Sequence, residues 1–128
     1  MSYQSDLVTA LLADATVSGI VGTKIFGDVA DEDPAPYLVY SVPSSTGETR
    51  HDGLRGLEFP TIQISCWATS KPAAIALAAA VMAVCDGQTI SGSANLSLVF
   101  SNQVGQYDPE TKLYGEIIDF TGATNPNT

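Results

Sequence analysis

Basic residues, histidine and cysteine are all scarce in this chain, and each shortage excludes a class of function. Five Lys and Arg stand against fourteen Asp and Glu, giving a formal charge of −9 over 128 residues. Such a surface repels phosphate backbones and anionic lipid alike, which excludes nucleic-acid binding through a basic face and disfavours a membrane surface. His51 is the single histidine, so no second imidazole is present to complete a metal pair, and its setting among charges and glycines reads as an exposed turn rather than a general base. The two cysteines, Cys66 and Cys85, are too few for a disulfide framework and too far apart for a Cys-x-x-Cys motif. One lies in a strand-like run and the other closes a helical one, which predicts two buried reduced thiols.

Long apolar runs are missing as well. The longest uncharged apolar stretch, Ala73–Cys85, is too short to span the roughly 30 Å hydrocarbon core of a bilayer. No basic residue precedes the first apolar group at the N-terminus and no signal-type apolar region follows, so the expected site of synthesis is the cytosol. The sequon Asn95-Leu96-Ser97 would matter only in a secreted protein. Catalytic constellations are thin. No Gly-x-Ser-x-Gly elbow is present, and Gly19-x-x-Gly22 and Gly53-x-x-Gly56 are too short to cradle a phosphate. Asp31-Glu32-Asp33 lacks the spacing of a calcium loop and runs into Pro34, so it reads as a solvated acidic loop. Glu116 and Asp119 fall on opposite faces of a strand by their odd spacing and cannot act as an acid/base pair there. No enzyme and no cofactor is legible.

What remains is a chain built to fold. Hydrophobic residues make up 45% of it and charged ones only 15%, the reverse of a disordered composition. Its length is that of one domain, and a domain of this size buries roughly two-thirds of the surface its unfolded chain exposes. Residues 1–121 are expected to form that domain, with 122–128 as a flexible polar tail.

Leu7, Leu11 and Ala15, flanked by Val8 and Leu12, draw an apolar stripe for a first helix over about 3–15. Gly19 and Gly22 bracket a helical turn or tight corner before a short strand at 24–26, and Asp28–Pro36 forms an acidic, proline-broken loop. Tyr37–Val42 and Glu58–Ala68 are strand-like, the second alternating Ile62, Ile64 and Cys66 with polar residues. The polar stretch between them carries Asp52-Gly53, a strong turn signal. One long protruding hairpin over about 37–68 is the natural reading. Ser70-Lys71-Pro72 is a cap followed by a first-turn proline, starting a helix that ends at Asp86-Gly87. Two further strands, over about 96–106 and 112–121, meet at Asp108-Pro109-Glu110-Thr111. The expected fold is α+β: a mainly antiparallel sheet of four to five strands, with two helices packed on one face.

The second helix is unusual, since Ala73–Cys85 contains no polar side chain. A helix on one side of a small sheet should offer water a polar stripe. Either the first helix and the sheet cover it and leave small alanines at the surface, or its outer face is a subunit contact through residues such as Ala74, Ala78 and Val81.

The order of these pieces resembles the tail-completion (tail terminator, or tail-to-head joining) proteins of long-tailed bacteriophages. The resemblance runs from Leu7 to Phe120. It is carried by the opening Leu7-Val8-Thr9-Ala10-Leu11-Leu12-Ala13-Asp14, then Val17-x-x-Ile20-Val21-Gly22-x-Lys24-Ile25-Phe26 and Pro36-Tyr37-Leu38-Val39-Tyr40. Phe59-Pro60-Thr61-Ile62-Gln63-Ile64-Ser65-Cys66-Trp67-Ala68 follows, and the match closes with Tyr107-Asp108-Pro109-Glu110-Thr111-Lys112-Leu113-Tyr114-Gly115 leading into Ile118-Asp119-Phe120. It implies a structural virion protein at the tail-neck junction, made in the host cytoplasm, that forms a ring (a hexamer) on the head-proximal end of the tail tube. Its partners would be further copies of itself, the tail tube protein and a head-completion or stopper protein, with DNA passing through without specific binding. The family brings no catalytic motif with it.

Within that frame the hairpin tip, with Arg50, His51 and Arg55, is a candidate docking element, because it concentrates two of the five basic residues and could seek acidic partners. The same tip reads equally as a mobile surface loop. Acidic residues of Asp28–Asp33, if turned into a ring's bore, would repel passing DNA. The competing readings are a head-side neck protein, a stopper or adaptor, and a bacterial ligand-binding or regulatory α+β domain.

Overall fold

The computed structural model describes residues 3–28, 35–49, 55–90 and 96–124, with the side chains of 3, 46–49 and 55–57 left aside. The tip residues Arg50 and His51, the turn Asp52-Gly53, most of the acidic loop and the sequon asparagine lie outside the described residues.

The chain opens with two helices where the stripe predicts one. Helix α1 spans Tyr3–Ala13 and α2 spans Ala15–Val21. Asp14 between them has extended backbone, and its Oδ2 accepts the Val17 N–H at 3.0 Å, capping α2. An aspartate that could have been a polar surface position of one helix instead satisfies a free first-turn amide of the next. Gly22, at φ +65°, ends α2, a backbone setting that favours glycine.

Six strands follow: β1 (Ile25–Gly27), β2 (Tyr37–Thr49), β3 (Arg55–Ala68), then after helix α3 (Lys71–Cys85) β4 (Thr89–Ile90), β5 (Leu96–Asp108) and β6 (Leu113–Ala123). They form one sheet in the order β1-β2-β3-β6-β5-β4. Only β1 and β2 run parallel, and the other pairs are antiparallel. The α+β class stands as expected, and β2 and β3 pair antiparallel on either side of the tip residues 50–54, which lie outside the described ones. Among the described residues, four to five strands become six and two helices become three. The added elements are short: α2 has seven residues and β4 two, so neither shows a full period of its own pattern. The last strand also reaches Ala123, and Thr124 is buried, exchanging backbone hydrogen bonds with Glu58.

The core lies between the helices and one face of the sheet. Leu7 and Leu11 of α1, Val17 and Val21 of α2, and Leu77, Val81 and Cys85 of α3 pack on Leu38, Ile62, Ile64, Leu98, Ile118 and Phe120, all essentially inaccessible to water. Cys66 and Cys85 are free thiols inside it. Burial pushes the Cys85 thiol up to about 12. It pushes Cys66 up as well, helped by the nearby Glu116 charge. No helix among the described residues is long and apolar enough to cross a membrane.

Candidate interaction surfaces

Helix α3 starts at the expected place. The Ser70 hydroxyl accepts the Ala73 N–H at 3.3 Å and Pro72 stands in the first turn, where its missing N–H costs nothing. Its orientation corrects the expected contact residues. Ala74, Ala78 and Val81 are 0–1% exposed and face the core, while Ala73, Ile75, Ala76, Ala79 and Ala83 face outward. The sheet covers one side of the helix, and small residues with Ile75 remain at the surface. Of the tip residues, Arg55 opens β3, its backbone paired with Thr49.

At the N-terminal end of α3 the structure places a charged cluster that sequence reasoning missed. Lys71 Nζ donates to Glu116 Oε2 at 2.7 Å, and Gln103 Nε2 donates to Glu116 Oε1 at 2.8 Å. The Lys71 hydrogen bond and charge, with Gln103, hold the Glu116 carboxyl below its ordinary range against the opposing effect of burial. Gly105, opposite Glu116 in the β5–β6 register, leaves the room. A Cβ there would stand 2.6 Å from Lys71 Nζ and 2.8 Å from Glu116 Oε2. The ion pair therefore lies across β5 and ties the helix to two strands.

The opposite face of the sheet carries no helix among the described residues. Register assigns to it Tyr37, Val39 and Ser41 of β2 and Gln63, Ser65 and Trp67 of β3, with Ile117 and Asp119 of β6. Gln63 Nε2 donates to Asp119 Oδ1 at 3.1 Å. Trp67 lies over Gly115, where a Cβ would come within 2.8 Å of the indole ring. At the end of the hairpin away from its tip, this face opens into a cleft of about 320 Å³. Tyr37, Val39, Ser65 and Trp67 line it, and the β5–β6 turn brings Asp108 and Thr111 to the rim shared with Asp28. Phe26 packs edge-on against Tyr37 with ring centroids 6.1 Å apart. Desolvation first, then the Asp108 charge, raise the Tyr37 phenol, so it remains a donor at neutral pH.

Strand β5 contributes a third surface. It pairs with β6 along its length, but among the described residues β4 meets it only at Leu96 and Ser97. Its outer part exposes Val99, Phe100, Val104 and Tyr107 and carries no charged residue from Leu96 to Tyr107. A second cavity, of about 420 Å³, lies between α1 and the C-terminal end of α3, bounded by Asp6, Ala10, Val84 and Gln88. Among the described residues, no three or more His, Cys, Asp or Glu are grouped so as to hold a metal ion.

Comparison with known proteins places this architecture. Residues 5–124 match the family model described as Tail completion protein gp17. A chain in the solved structure of the virion of a native gene transfer agent particle superposes with a TM-score of 0.78, covering 95% of this chain and 93% of that one at 20% identity. That likeness speaks to the fold. No curated protein sequence matches. A family match that runs from α1 to the last described residue, on a domain with this sheet and these helices, leaves one assignment: the chain belongs to the gp17 tail completion family, and its place is the virion tail.

Proposed function

We propose that this protein caps the head-proximal end of the phage tail tube and joins tail to head, working as a ring of identical subunits, six in number, between the tube protein and a head-completion or stopper protein. The observation that carries the reading is the family match over residues 5–124. Three features of the surface support it. Among the described residues the sheet keeps one broad face free of helices, β5 exposes apolar side chains on an uncharged stretch, and α3 turns small residues outward, which allows close backbone approach. The role is one of assembly, with no catalysis.

The charge fits the same role. A ring of subunits at −9 each would repel DNA and let it pass without adhering. Deleting the gene tests the reading against a head-side stopper or adaptor. Unjoined heads together with overlong tubes are the expected outcome, and heads that leak DNA while tubes keep normal length would overturn it.

A further inference from the structure

The cleft on the open face of the sheet combines aromatic walls with an acidic rim. Tyr37 and Trp67, opposite each other in the β2–β3 register, line it, and Asp28 and Asp108 bring carboxylates to its edge. The backbone holds both aspartates in place. Asp28 stands at φ +62° and its N–H donates to the Tyr40 carbonyl at 2.8 Å. Asp108 ends β5, where its Oδ1 accepts the Glu110 N–H at 3.0 Å and its carbonyl accepts the Lys112 N–H at 2.7 Å. Trp67 is fixed as well, packed over Gly115. Neither aspartate forms an ion pair among the described residues, and Lys71 is committed to Glu116. Two such carboxylates beside an indole and a phenol ring, around about 320 Å³ of space, suit an organic cation.

A guanidinium fits this arrangement better than an ammonium. It stacks on an aromatic face while its planar fork donates to carboxylates, whereas an ammonium is a compact and strongly hydrated point charge. The charge of the chain indicates where such a group comes from. At −9, a second copy is repelled at long range, while a protein with a basic contact surface is drawn in.

We propose that the Asp28–Asp108–Trp67 cleft receives an arginine side chain from a different, basic protein that docks on the open face of the sheet. That the arginine belongs to a protein rests on the assembly role above, and the recognition chemistry stands apart from it. Trp67 is the only tryptophan and so reports on the cleft directly. With 5-fluorotryptophan incorporated there, the chain is followed by fluorine NMR while the blocked peptide acetyl-Gly-Arg-Gly-amide is added. A saturable shift of the single resonance is expected, with a Kd on the order of 1–10 mM for one side chain. The citrulline peptide, of the same shape without the charge, should give no saturable shift. The lysine peptide should bind at least about threefold more weakly. Free arginine should also bind more weakly than the blocked peptide, because its own carboxylate meets the rim aspartates. The D28N/D108N variant should weaken the arginine peptide about tenfold. Asparagine tolerates the left-handed backbone of Asp28 and keeps an oxygen for the Glu110 N–H, and dispersion of the amide spectrum checks the fold. No saturable shift, equal binding of the lysine peptide, tighter binding of free arginine, or affinity unchanged in D28N/D108N would overturn the proposal. So would the same shift produced by concentrating the chain alone, which would assign the cleft to a second copy. No tail tube enters this titration, so a negative result leaves the capping role standing, and tubes that fail to be capped leave the arginine selectivity standing.

Discussion

The Lys71–Glu116–Gln103 cluster offers the sharpest test of the packing scheme, through Lys71→Met. Glu116 is 6% exposed, so removing the ammonium leaves a carboxylate in a poorly solvated site with Gln103 as its remaining side-chain donor. Losing one partner of a fully buried pair costs about 3–5 kcal/mol. Here the Lys71 side chain is 48% exposed, so solvent already screens the pair, and the figure falls to about 1–2 kcal/mol. For a domain of this size that is a drop in Tm of about 3–10 °C. The pH dependence has a definite sign. The folded state holds the Glu116 carboxyl below its ordinary range, so the contribution is present above the unfolded carboxyl's pKa and is lost as pH falls through the lower folded value. The difference between wild type and variant in urea denaturation should therefore be full at pH 7 and shrink in acid. Gly105→Ala crowds the same two atoms, so its effect should be strongly non-additive with Lys71→Met in a double-mutant cycle. A variant within 0.3 kcal/mol of wild type at pH 7, or a difference that does not change on acidification, would refute the reasoning.

Three further outcomes follow from the core. Ala78→Leu, at a position 1% exposed, should overpack the helix–sheet interface and cost about 1–3 kcal/mol by urea denaturation, whereas Ala79→Gln on the outward face should stay within about 0.5 kcal/mol. Asp14→Ala removes the acceptor for the Val17 N–H and should cost about 0.5–2 kcal/mol, read by the same assay. Cys66 and Cys85 are buried, with thiols pushed up by that burial, Cys85 to about 12. A thiol reagent at pH 8 should therefore leave both unmodified in the folded chain and react with both once denaturant is added.

How far the sequence disclosed this molecule depends on whether a feature is local. The start of α3 was legible because Ser70 and Pro72 carry its cap chemistry within three residues, and the β2–β3 hairpin because Ile62, Ile64 and Cys66 alternate with polar neighbours. The inward side of α3 was not. With apolar residues all round, periodicity gives no reason to choose Ala74, Ala78 and Val81 for the core over Ala76, Ala79 and Ala83 for the surface, and only the sheet makes that choice. Asp14 was ambiguous because one side chain serves equally as a polar helix position and as a cap. The surfaces were the least legible. The cleft draws Asp28, Tyr37, Trp67 and Asp108 from the end of β1, from β2 and β3, and from the end of β5, and Glu116 meets Lys71 across forty-five positions of sequence. Family resemblance carried the functional assignment, since no single residue does.

The capping role itself is tested most directly by electron microscopy of purified tail tubes mixed with the purified chain. The account predicts added density closing one end of each tube, the end that meets the head, with the rest of the tube bare. Tubes left open at both ends, or decorated along their length, would contradict it.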